Sequence, residues 1–462
     1  MRKYHRIGLG LLVGLFFASG YAARLYCNAA EERASISRQA PLLMPGTRVA
    51  ATNLNAAANV DFRPLETLIY VVNSLRQHYV EEITDSVEGK MTHDALRGML
   101  AQLEDPNTRF LDPAQKKIVE AASEGTFHGI GAVLGIKRIK LGDITDEHLI
   151  VISPLQSGPA DKAGLKPGDD ITWINGKSVL PFNPFQKVNA LAKTEENRNA
   201  WSPELKKKIE AERKRIEGGM PIMEAENKLM SEDKGELLLT VVRKGAAAPI
   251  KVKITPRELK IEPVAASVIE GGKLGCIRIS CITPQAGEEV ATALSRFRDA
   301  RVEGLVIDLR GSVGGQIQSM LDVAESFAAG KKLATLVRSH GRRSAITAPA
   351  GDESKPWNGP VTVLVNRGTT RMAEVLAAAL KDTCGAKLVG ETTCGDLNHV
   401  TLIEQPDGSC VTLTTGVFLT SKGINYNAKG LPVDVKVAST SSGDSHIKEA
   451  VKLLTSAGGS KI

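Results

Sequence analysis

Apolar side chains recur at helical spacing in the first third of the chain. Leu65, Leu68, Ile69, Val72 and Leu75 occupy positions i, i+3, i+4, i+7 and i+10, which places them on one face of an α-helix. A second helical stretch, residues 93–103, ends in an Asp-Pro-Asn turn signal. The pattern therefore predicts a helical N-terminal domain over residues 61–124.

After this helical arm the apolar runs become short and are separated by turn residues, which is the pattern of β-strands. Residues 127–136 and 148–152 are two such runs, and Asn175-Gly176 is a pair favoured in two-residue hairpin turns. Strands, one short helix and turns follow in an order that resembles a PDZ domain. We assign residues 125–256 to this domain.

Residues 182–220 form a segment that a PDZ domain does not need. Ser202 is placed to cap a helix whose first residue is Pro203, and the residues that follow are mostly charged, with opposite charges four residues apart. The segment is predicted to be a solvated helical insertion within the PDZ domain. The alternative is a basic contact surface for an acidic partner.

Beyond residue 257 strand-like and helix-like runs alternate, which predicts a layered α/β core over residues 257–440. The apolar strand 305–309 leads into a Gly-rich turn. A second apolar strand, 361–366, leads into a tight loop and then a helix. The remaining residues, 441–462, are predicted to be a C-terminal tail.

The first residues carry the pattern of an export signal. A basic start, an apolar run from Ile7 to Phe17 and small residues near Ala22 predict a signal peptide within residues 1–28, with an uncleaved membrane anchor as the alternative. Residues 29–60 have no periodicity and are predicted to be a flexible spacer. The expected location is therefore outside the cytoplasm, in the periplasm or the cell envelope.

Composition narrows the list of partners and cofactors. With 462 residues, 42% apolar and 24% charged, the chain has the composition of a multidomain globular protein. Much of its net charge of +7 lies in the leader and in the insertion, so nucleic acid is not an expected partner. The six cysteines lack the paired spacing of a metal site, and neither a metal nor a cofactor is predicted.

Four stretches match motifs of one peptidase family. They are ALRGMLAQLEDPNTRFLDP at 95–113, DLRGSVGG at 308–315, LVGETTCG at 388–395 and GLPVD at 430–434. Together with the order of helical arm, PDZ domain and α/β core, they resemble the C-terminal-processing (tail-specific) serine peptidases. The resemblance implies a ClpP/crotonase-like core, serine-type endopeptidase chemistry, and binding of unstructured protein or peptide C-termini.

The catalytic positions of that family are replaced in this sequence. The family motif N-x-G-S-A-S-A-S-E aligns without a gap on NRGTTRMAE, residues 366–374, and puts Arg371 at the position of the reacting serine. The family motif G-K-G-x-V-Q aligns on GDLNHV, residues 395–400, so that Asp396 replaces the lysine base and Val400 the orienting glutamine. The resemblance thus implies a catalytically degenerate member. Because the family's serine and lysine lie within hydrogen-bond reach, their replacements are expected to form an ion pair.

Two glycine-containing loops also match the family. One resembles the loop whose backbone N–H groups stabilise the oxyanion, and it contains Gly311, Gly314 and Gly315. The other resembles the PDZ loop that captures a terminal carboxylate with backbone N–H groups, and it consists of Gly129, Ile130 and Gly131.

Three functions remain open on the sequence. The first is a non-catalytic protein that binds peptide or protein C-termini through its PDZ domain. The second is an active peptidase with a different nucleophile, Thr369, Thr370 or Cys394, the last paired with His399. The third is an assembly subunit that associates with an active paralogue or with copies of itself.

Overall fold

The computed structural model describes residues 39–41, 47–49, 63–103, 105–141, 144–155, 157–193, 202–231, 235–313, 315–351, 356–437 and 444–458. The predicted leader, 1–28, lies outside the described residues. So does most of the predicted spacer, 29–60, in which two three-residue strands are described. No helix in the described ranges is long and apolar enough to cross a bilayer.

Helices and strands alternate along the chain. The helices are α1 Arg63–His78, α2 Asp85–Ala101, α3 Pro113–Ser123, α4 Pro159–Lys162, α5 Phe185–Lys193, α6 Pro203–Glu217, α7 Ile222–Met230, α8 Ala286–Asp299, α9 Ile317–Ala328, α10 Met372–Cys384 and α11 Ser445–Gly458. The strands are β1 Gln39–Pro41, β2 Thr47–Val49, β3 Arg109–Leu111, β4 Thr126–Phe127, β5 Ala132–Leu141, β6 Ile144–Pro154, β7 Asp170–Ile174, β8 Lys177–Leu180, β9 Met220–Pro221, β10 Leu237–Val242, β11 Ile250–Ile254, β12 Leu259–Lys260, β13 Val264–Ile269, β14 Leu274–Ile279, β15 Gly304–Asp308, β16 Lys332–Arg338, β17 Arg343–Thr347, β18 Val361–Val365, β19 Lys387–Gly390, β20 Asn398–Glu404, β21 Cys410–Thr420 and β22 Val435–Lys436.

The PDZ-like segment is one sheet with the order β1-β5-β6-β7-β10-β11, and β8 joins it beside β7. Alternate residues of its strands, such as Leu149, Ile171 and Leu239, are buried in one apolar cluster. The turn between β7 and β8 has positive φ at both Asn175 and Gly176, as the hairpin signal predicts.

The insertion is more than a solvated helix. Its two helices, α5 and α6, bury Val188, Leu205 and Ile209 in a small apolar cluster of their own. Ser202 caps α6 by accepting from the Leu205 N–H. The last residue of the predicted insertion, Met220, is part of the PDZ core instead. The charged face seen in the sequence is therefore only one side of a packed helical pair.

The C-terminal core has a six-stranded sheet with the order β13-β14-β15-β18-β19-β22, parallel except at β13. Ile307 and Val363 point into the cluster formed with α8, α9 and α10, whereas Val306 and Leu364 pack on the opposite face. Burial on both faces explains why these strands are continuously apolar. A second sheet, β17-β16-β21-β20-β2, packs against the first cluster.

The segment predicted only as a C-terminal tail, 441–462, contains helix α11. Its residues Ala450 and Leu454 are buried against the outer face of the parallel sheet. The two lie four residues apart and so share one helix face. The predicted tail therefore contains a helix that packs on the core. The sequence did not predict this helix, because a short apolar stripe after a Ser/Thr/Gly-rich stretch gives only a weak periodic signal.

Candidate active site

Three loops meet at one edge of the parallel sheet. They follow β15, β18 and β19, and the carboxyl ends of neighbouring parallel strands lie on the same side of a sheet. The loop after β18 reaches Arg371 at the start of α10, and the loop after β19 reaches Asp396. A turn of the helical arm just before β3 adds Asn107 to the same place.

Arg371 occupies the sharp turn between β18 and α10. Its φ is +51°, a strained conformation for a residue with a side chain and one found at strand-to-helix turns that present nucleophiles. The guanidinium is held on two sides. Nε donates to Asp396 Oδ2 at 2.9 Å, and Nη2 donates to Asn107 Oδ1 at 2.6 Å. The ion pair expected from the sequence is therefore present.

Both carboxylate oxygens of Asp396 accept hydrogen bonds from protein side chains. Its second oxygen accepts from Asn398 Nδ2 at 2.9 Å and from Asn107 Nδ2 at 3.4 Å. The side chains of Arg371 and Asp396 are 5% and 0% exposed. Both charges are thus buried, paired with each other and surrounded by amide groups.

Glu374 joins the two loops that carry this pair. One of its oxygens accepts from the backbone N–H groups of Arg371, at 3.2 Å, and Asp396, at 2.8 Å. The other accepts from the Gly395 N–H at 2.7 Å and from the Thr393 hydroxyl. Burial raises the pKa of Glu374 to about 7, although these four donors favour the carboxylate. From the sequence, Glu374 served only as the last residue of the aligned motif 366–374, and no role was predicted for it.

Both threonines of the Arg371 loop are buried. The Thr369 hydroxyl donates to the Leu309 carbonyl at 2.7 Å and accepts from the Asn366 N–H, so it is committed to the loop itself. The Thr370 backbone N–H donates to the Ser312 carbonyl oxygen at 3.1 Å. Within the described ranges no lysine, histidine or carboxylate is hydrogen-bonded to the Thr370 hydroxyl.

Cys394 and His399 lie in environments that favour their neutral forms. Burial raises the pKa of the Cys394 thiol well above its usual value and lowers the pKa of His399 to about 4. His399 Nδ1 is hydrogen-bonded to the Thr415 hydroxyl at 2.8 Å. Val400, which the sequence aligns with the family's orienting glutamine, is a buried apolar residue of β20. The described residues contain no His, Cys, Asp or Glu cluster placed to hold a metal ion.

The glycine loop after β15 is tightly packed. The Gly311 N–H donates to Asn366 Oδ1 at 2.9 Å, and a Cβ at Gly315 would lie 1.8 Å from the Ile282 carbonyl oxygen. Gly314 lies outside the described residues. Ser153, at the end of the PDZ strand β6, packs on this loop and on the loop after β18, since a Cβ at Gly311 would lie 3.1 Å from the Ser153 Oγ and a Cβ at Gly368 would lie 2.6 Å from the Ser153 Cβ. An oxyanion pocket at Gly315 stays a prediction.

The predicted carboxylate loop of the PDZ domain is closed by its own helix. The Ile130 N–H donates to the Leu229 carbonyl of α7 at 2.9 Å. Gly129 packs so closely on α7 that a Cβ there would lie 2.1 Å from the same oxygen. Gly131 has positive φ and abuts Pro159. A terminal carboxylate that enters this loop must therefore displace the Leu229 carbonyl.

Helix α7 is also tied to the helical arm. Arg109 of β3 donates from Nη1 to both oxygens of Glu226 at 2.8 Å, and both side chains are buried. Arg109 is two residues from Asn107, which contacts Arg371 and Asp396. The PDZ helix, the arm and the candidate active site are thus connected through one short turn.

Family models and known proteins match this chain over both of its main domains. Residues 121–198 match the PDZ domain model, and residues 273–437 match the model of Peptidase family S41. The sheet of the PDZ-like segment continues through β10 and β11 to Ile254, beyond the matched range.

Curated relatives agree with these models. The chain is 26% identical to the carboxy-terminal processing protease CtpA of Bacillus subtilis over 363 residues, which cover 78% of this chain and 66% of that protein. It is 27% identical to the carboxyl-terminal-processing protease of Synechocystis over 392 residues, covering 82% and 80%. A solved structure, the photosystem II D1 C-terminal processing protease, shares the fold with a TM-score of 0.56 at 23% identity, covering 80% of this chain and 86% of that one.

The buried ion pair predicts a strong energetic coupling. Arg371→Ala leaves Asp396 buried without a counter-charge, and Asp396→Ala does the same to the arginine, so each change is expected to lower the free energy of unfolding by about 3–5 kcal/mol. The double variant is expected to cost clearly less than the sum. Chemical denaturation of the four proteins measures the coupling.

The matched control is the surface pair Lys253–Glu236, whose side chains are 70% and 57% exposed. Its coupling should stay below about 1 kcal/mol. A coupling between Arg371 and Asp396 no larger than that of the surface pair would contradict a buried, mutually dependent pair.

Proposed function

We propose that this chain, as a member of the family of carboxy-terminal processing peptidases, is a pseudo-peptidase that binds protein C-termini without cleaving them. The observation that carries the proposal is the ion pair between Arg371 and Asp396 at the nucleophile and base positions. Both positions are filled by side chains that hold each other in place.

Peptide-bond hydrolysis in this family's manner needs a hydroxyl beside a base. A guanidinium stays protonated in proteins and has no hydroxyl, so Arg371 cannot attack a carbonyl. Asp396 already accepts from Arg371, Asn398 and Asn107, which leaves its oxygens engaged. The buried Val400 cannot orient a base by hydrogen bonding. These features support a scaffold that has kept its fold without its catalytic groups.

An active peptidase with another nucleophile is the main rival. Its candidates are poorly placed for the task. Thr369 is hydrogen-bonded within its loop, and a thiol whose pKa is raised by burial, as at Cys394, is a weak nucleophile. The neutral imidazole of His399 is bonded to Thr415.

The purified protein is expected to leave unstructured protein substrates intact, as read by mass spectrometry of the reaction mixture. The triple change Arg371→Ser, Asp396→Lys and Val400→Gln restores hydroxyl, base and orienting amide together. It is expected to yield slow cleavage that no single change yields, because groups that act as one unit are non-additive. Cleavage by the unmodified protein that is lost in Thr370→Ala or Cys394→Ala would overturn the proposal.

Binding is the activity that remains, and the PDZ domain is the part that would perform it. Its loop at Gly129–Gly131 resembles one that captures a terminal carboxylate while the peptide adds a strand to the sheet. The ligand must compete with the Leu229 carbonyl for the Ile130 N–H. A charged carboxylate makes a stronger hydrogen bond than a neutral carbonyl, which favours the exchange.

An unstructured peptide with a free C-terminal carboxylate is expected to bind at least about tenfold more tightly than its C-terminal amide, since the amide loses the charge-assisted hydrogen bonds. Isothermal titration of the full chain with both peptides measures the ratio. The same peptide with a blocked N-terminus serves as the control and should bind unchanged. Equal affinity of acid and amide would argue against recognition of the terminus.

We also propose that the protein works outside the cytoplasm, in the periplasm or the cell envelope. The support is the leader pattern of residues 1–28, with its basic start and apolar run. A membrane anchor formed by the same segment is the alternative, and this segment lies outside the described residues.

An assembly subunit is a second candidate function, and the exposed helical arm favours it. Large apolar side chains along α1 and α2 are exposed to solvent: Leu68, Ile69, Tyr70, Val71, Val87 and Met99. Apolar patches of this kind commonly mark protein contacts. Under this reading the arm associates with an active paralogue or with a second copy.

If the arm mediates self-association, light scattering coupled to size exclusion should give a mass above the 49.4 kDa of one full chain. Ile69→Glu should shift the mass toward that of one chain, because the charge would be buried in the contact. Thr67→Glu, at an exposed polar position of α1, is the matched control and should leave the mass unchanged. A single-chain mass for the unmodified protein at all concentrations would rule out the self-assembling form.

A further inference from the structure

A cleft separates the outer face of the PDZ sheet from the inserted helices. Strands β6, β7 and β8 form one wall and helices α5 and α6 the other, and the enclosed volume is about 340 Å³. This is within the size range of small-ligand sites. The cleft shares no lining residue with the Gly129–Gly131 loop or with the candidate active site. It exists only because the insertion is packed against the domain.

The strand wall carries two carboxylates with a histidine between them. His148 Nδ1 lies 2.6 Å from Asp170 Oδ2, and His148 Nε2 lies 3.4 Å from Asp146 Oδ2. Hydrogen bonds to the two carboxylates raise the pKa of His148 to about 10, so the trio carries one net negative charge at neutral pH. Each aspartate uses one oxygen for the histidine. In the part of the chain that the structure describes, neither Oδ1 atom accepts a hydrogen bond, and the two side chains are 37% and 20% exposed.

Most other charges at the cleft are already balanced. Arg215 of α6 donates from Nε and Nη2 to Glu212 and from Nη1 to the Val179 carbonyl. Glu147 accepts from Arg138 and from the Phe182 N–H. Lys187 is exposed on α5 at the cleft, and the pKa of Asp146 is lowered by its hydrogen bond to His148 and by the nearby charges of Lys187 and Arg215. The acceptors left on the strand wall are therefore those of Asp146 and Asp170.

An aromatic side chain lines the same cleft. Trp173 is on the same strand as Asp170 and is 40% exposed. A half-exposed indole and carboxylate oxygens in one cleft are the combination that recognises a cation, through the ring face and through charge-assisted hydrogen bonds. A planar guanidinium suits this combination better than an ammonium does. The guanidinium can stack on the indole ring while its N–H groups reach carboxylates on neighbouring strands.

We propose that this cleft binds an arginine side chain of an unstructured polypeptide. In this arrangement the guanidinium donates to the Oδ1 atoms of Asp146 and Asp170 and packs against Trp173. An anionic ligand would face the carboxylates of Asp146 and Asp170 on the strand wall, and the guanidinium of Arg215 is paired with Glu212. The site lies outside the part of the chain that would hold a C-terminal carboxylate, and the proposal does not depend on the proposed function.

The test is calorimetric titration of the full chain with Nα-acetyl-arginine amide and with Nα-acetyl-citrulline amide. Citrulline has almost the same shape but no charge. The arginine compound is expected to bind saturably, at least about tenfold more tightly than citrulline, and more weakly as salt is added, since the contacts are charge-assisted and partly exposed.

Two variants locate the site. Asp146→Asn keeps the His148–Asp170 contact and should weaken arginine binding about tenfold, as should Trp173→Ala, which removes the ring. Glu236→Gln, an exposed carboxylate of the same domain outside the cleft, should leave binding unchanged. Circular dichroism verifies that each variant is folded. Equal binding of citrulline, no saturation by either compound, or unchanged binding in both folded cleft variants would each overturn the proposal.

Discussion

The contact between Arg371 Nε and Asp396 Oδ2 joins the loops that follow β18 and β19, and Asn107 links this pair to the helical arm. A lone charge at either position would be buried without compensation, at a cost of several kcal/mol. The two residues therefore depend on each other. An arginine and an aspartate at the positions that the resemblance assigns to a serine and a lysine are thus understandable as one change rather than two. The surrounding amides of Asn107 and Asn398 complete the hydrogen bonding that a buried pair requires.

The same contact organises its neighbours. Glu374 accepts from the backbone of both residues and so fixes the two loops against each other. Asn107 extends the network into the helical arm, and Arg109, two residues on, pairs with Glu226 in the PDZ helix. Ser153 of the PDZ domain packs on Gly311 and Gly368, in the loops that follow β15 and β18. The Arg371–Asp396 pair is thus buried, and the PDZ domain packs on the two neighbouring glycine loops.

Much of this could be predicted from the sequence. In the core, strand-like and helix-like apolar patterns alternate along the sequence and predict the α/β layers. The two aligned motifs, from Asn366 to Glu374 and from Gly395 to Val400, predicted the ion pair before the structure was known. Helix α2 begins at Asp85, eight residues before the predicted start, because Thr84 caps it, a local signal that the apolar pattern does not contain. The roles of Asn107 and Glu374 were missed for another reason. Asn107 meets Arg371 across 264 residues of chain, and no local pattern encodes such a contact.

The central claim is that no activated nucleophile remains in this site. The most direct measurement is intact-mass analysis of the folded protein after exposure to a fluorophosphonate and, separately, to a thiol-reactive peptidyl probe, with an active serine peptidase and an active cysteine peptidase as positive controls. The account predicts that the mass stays unchanged while each control acquires its adduct. An adduct that forms only on the folded chain and maps to Thr369, Thr370 or Cys394 would contradict it.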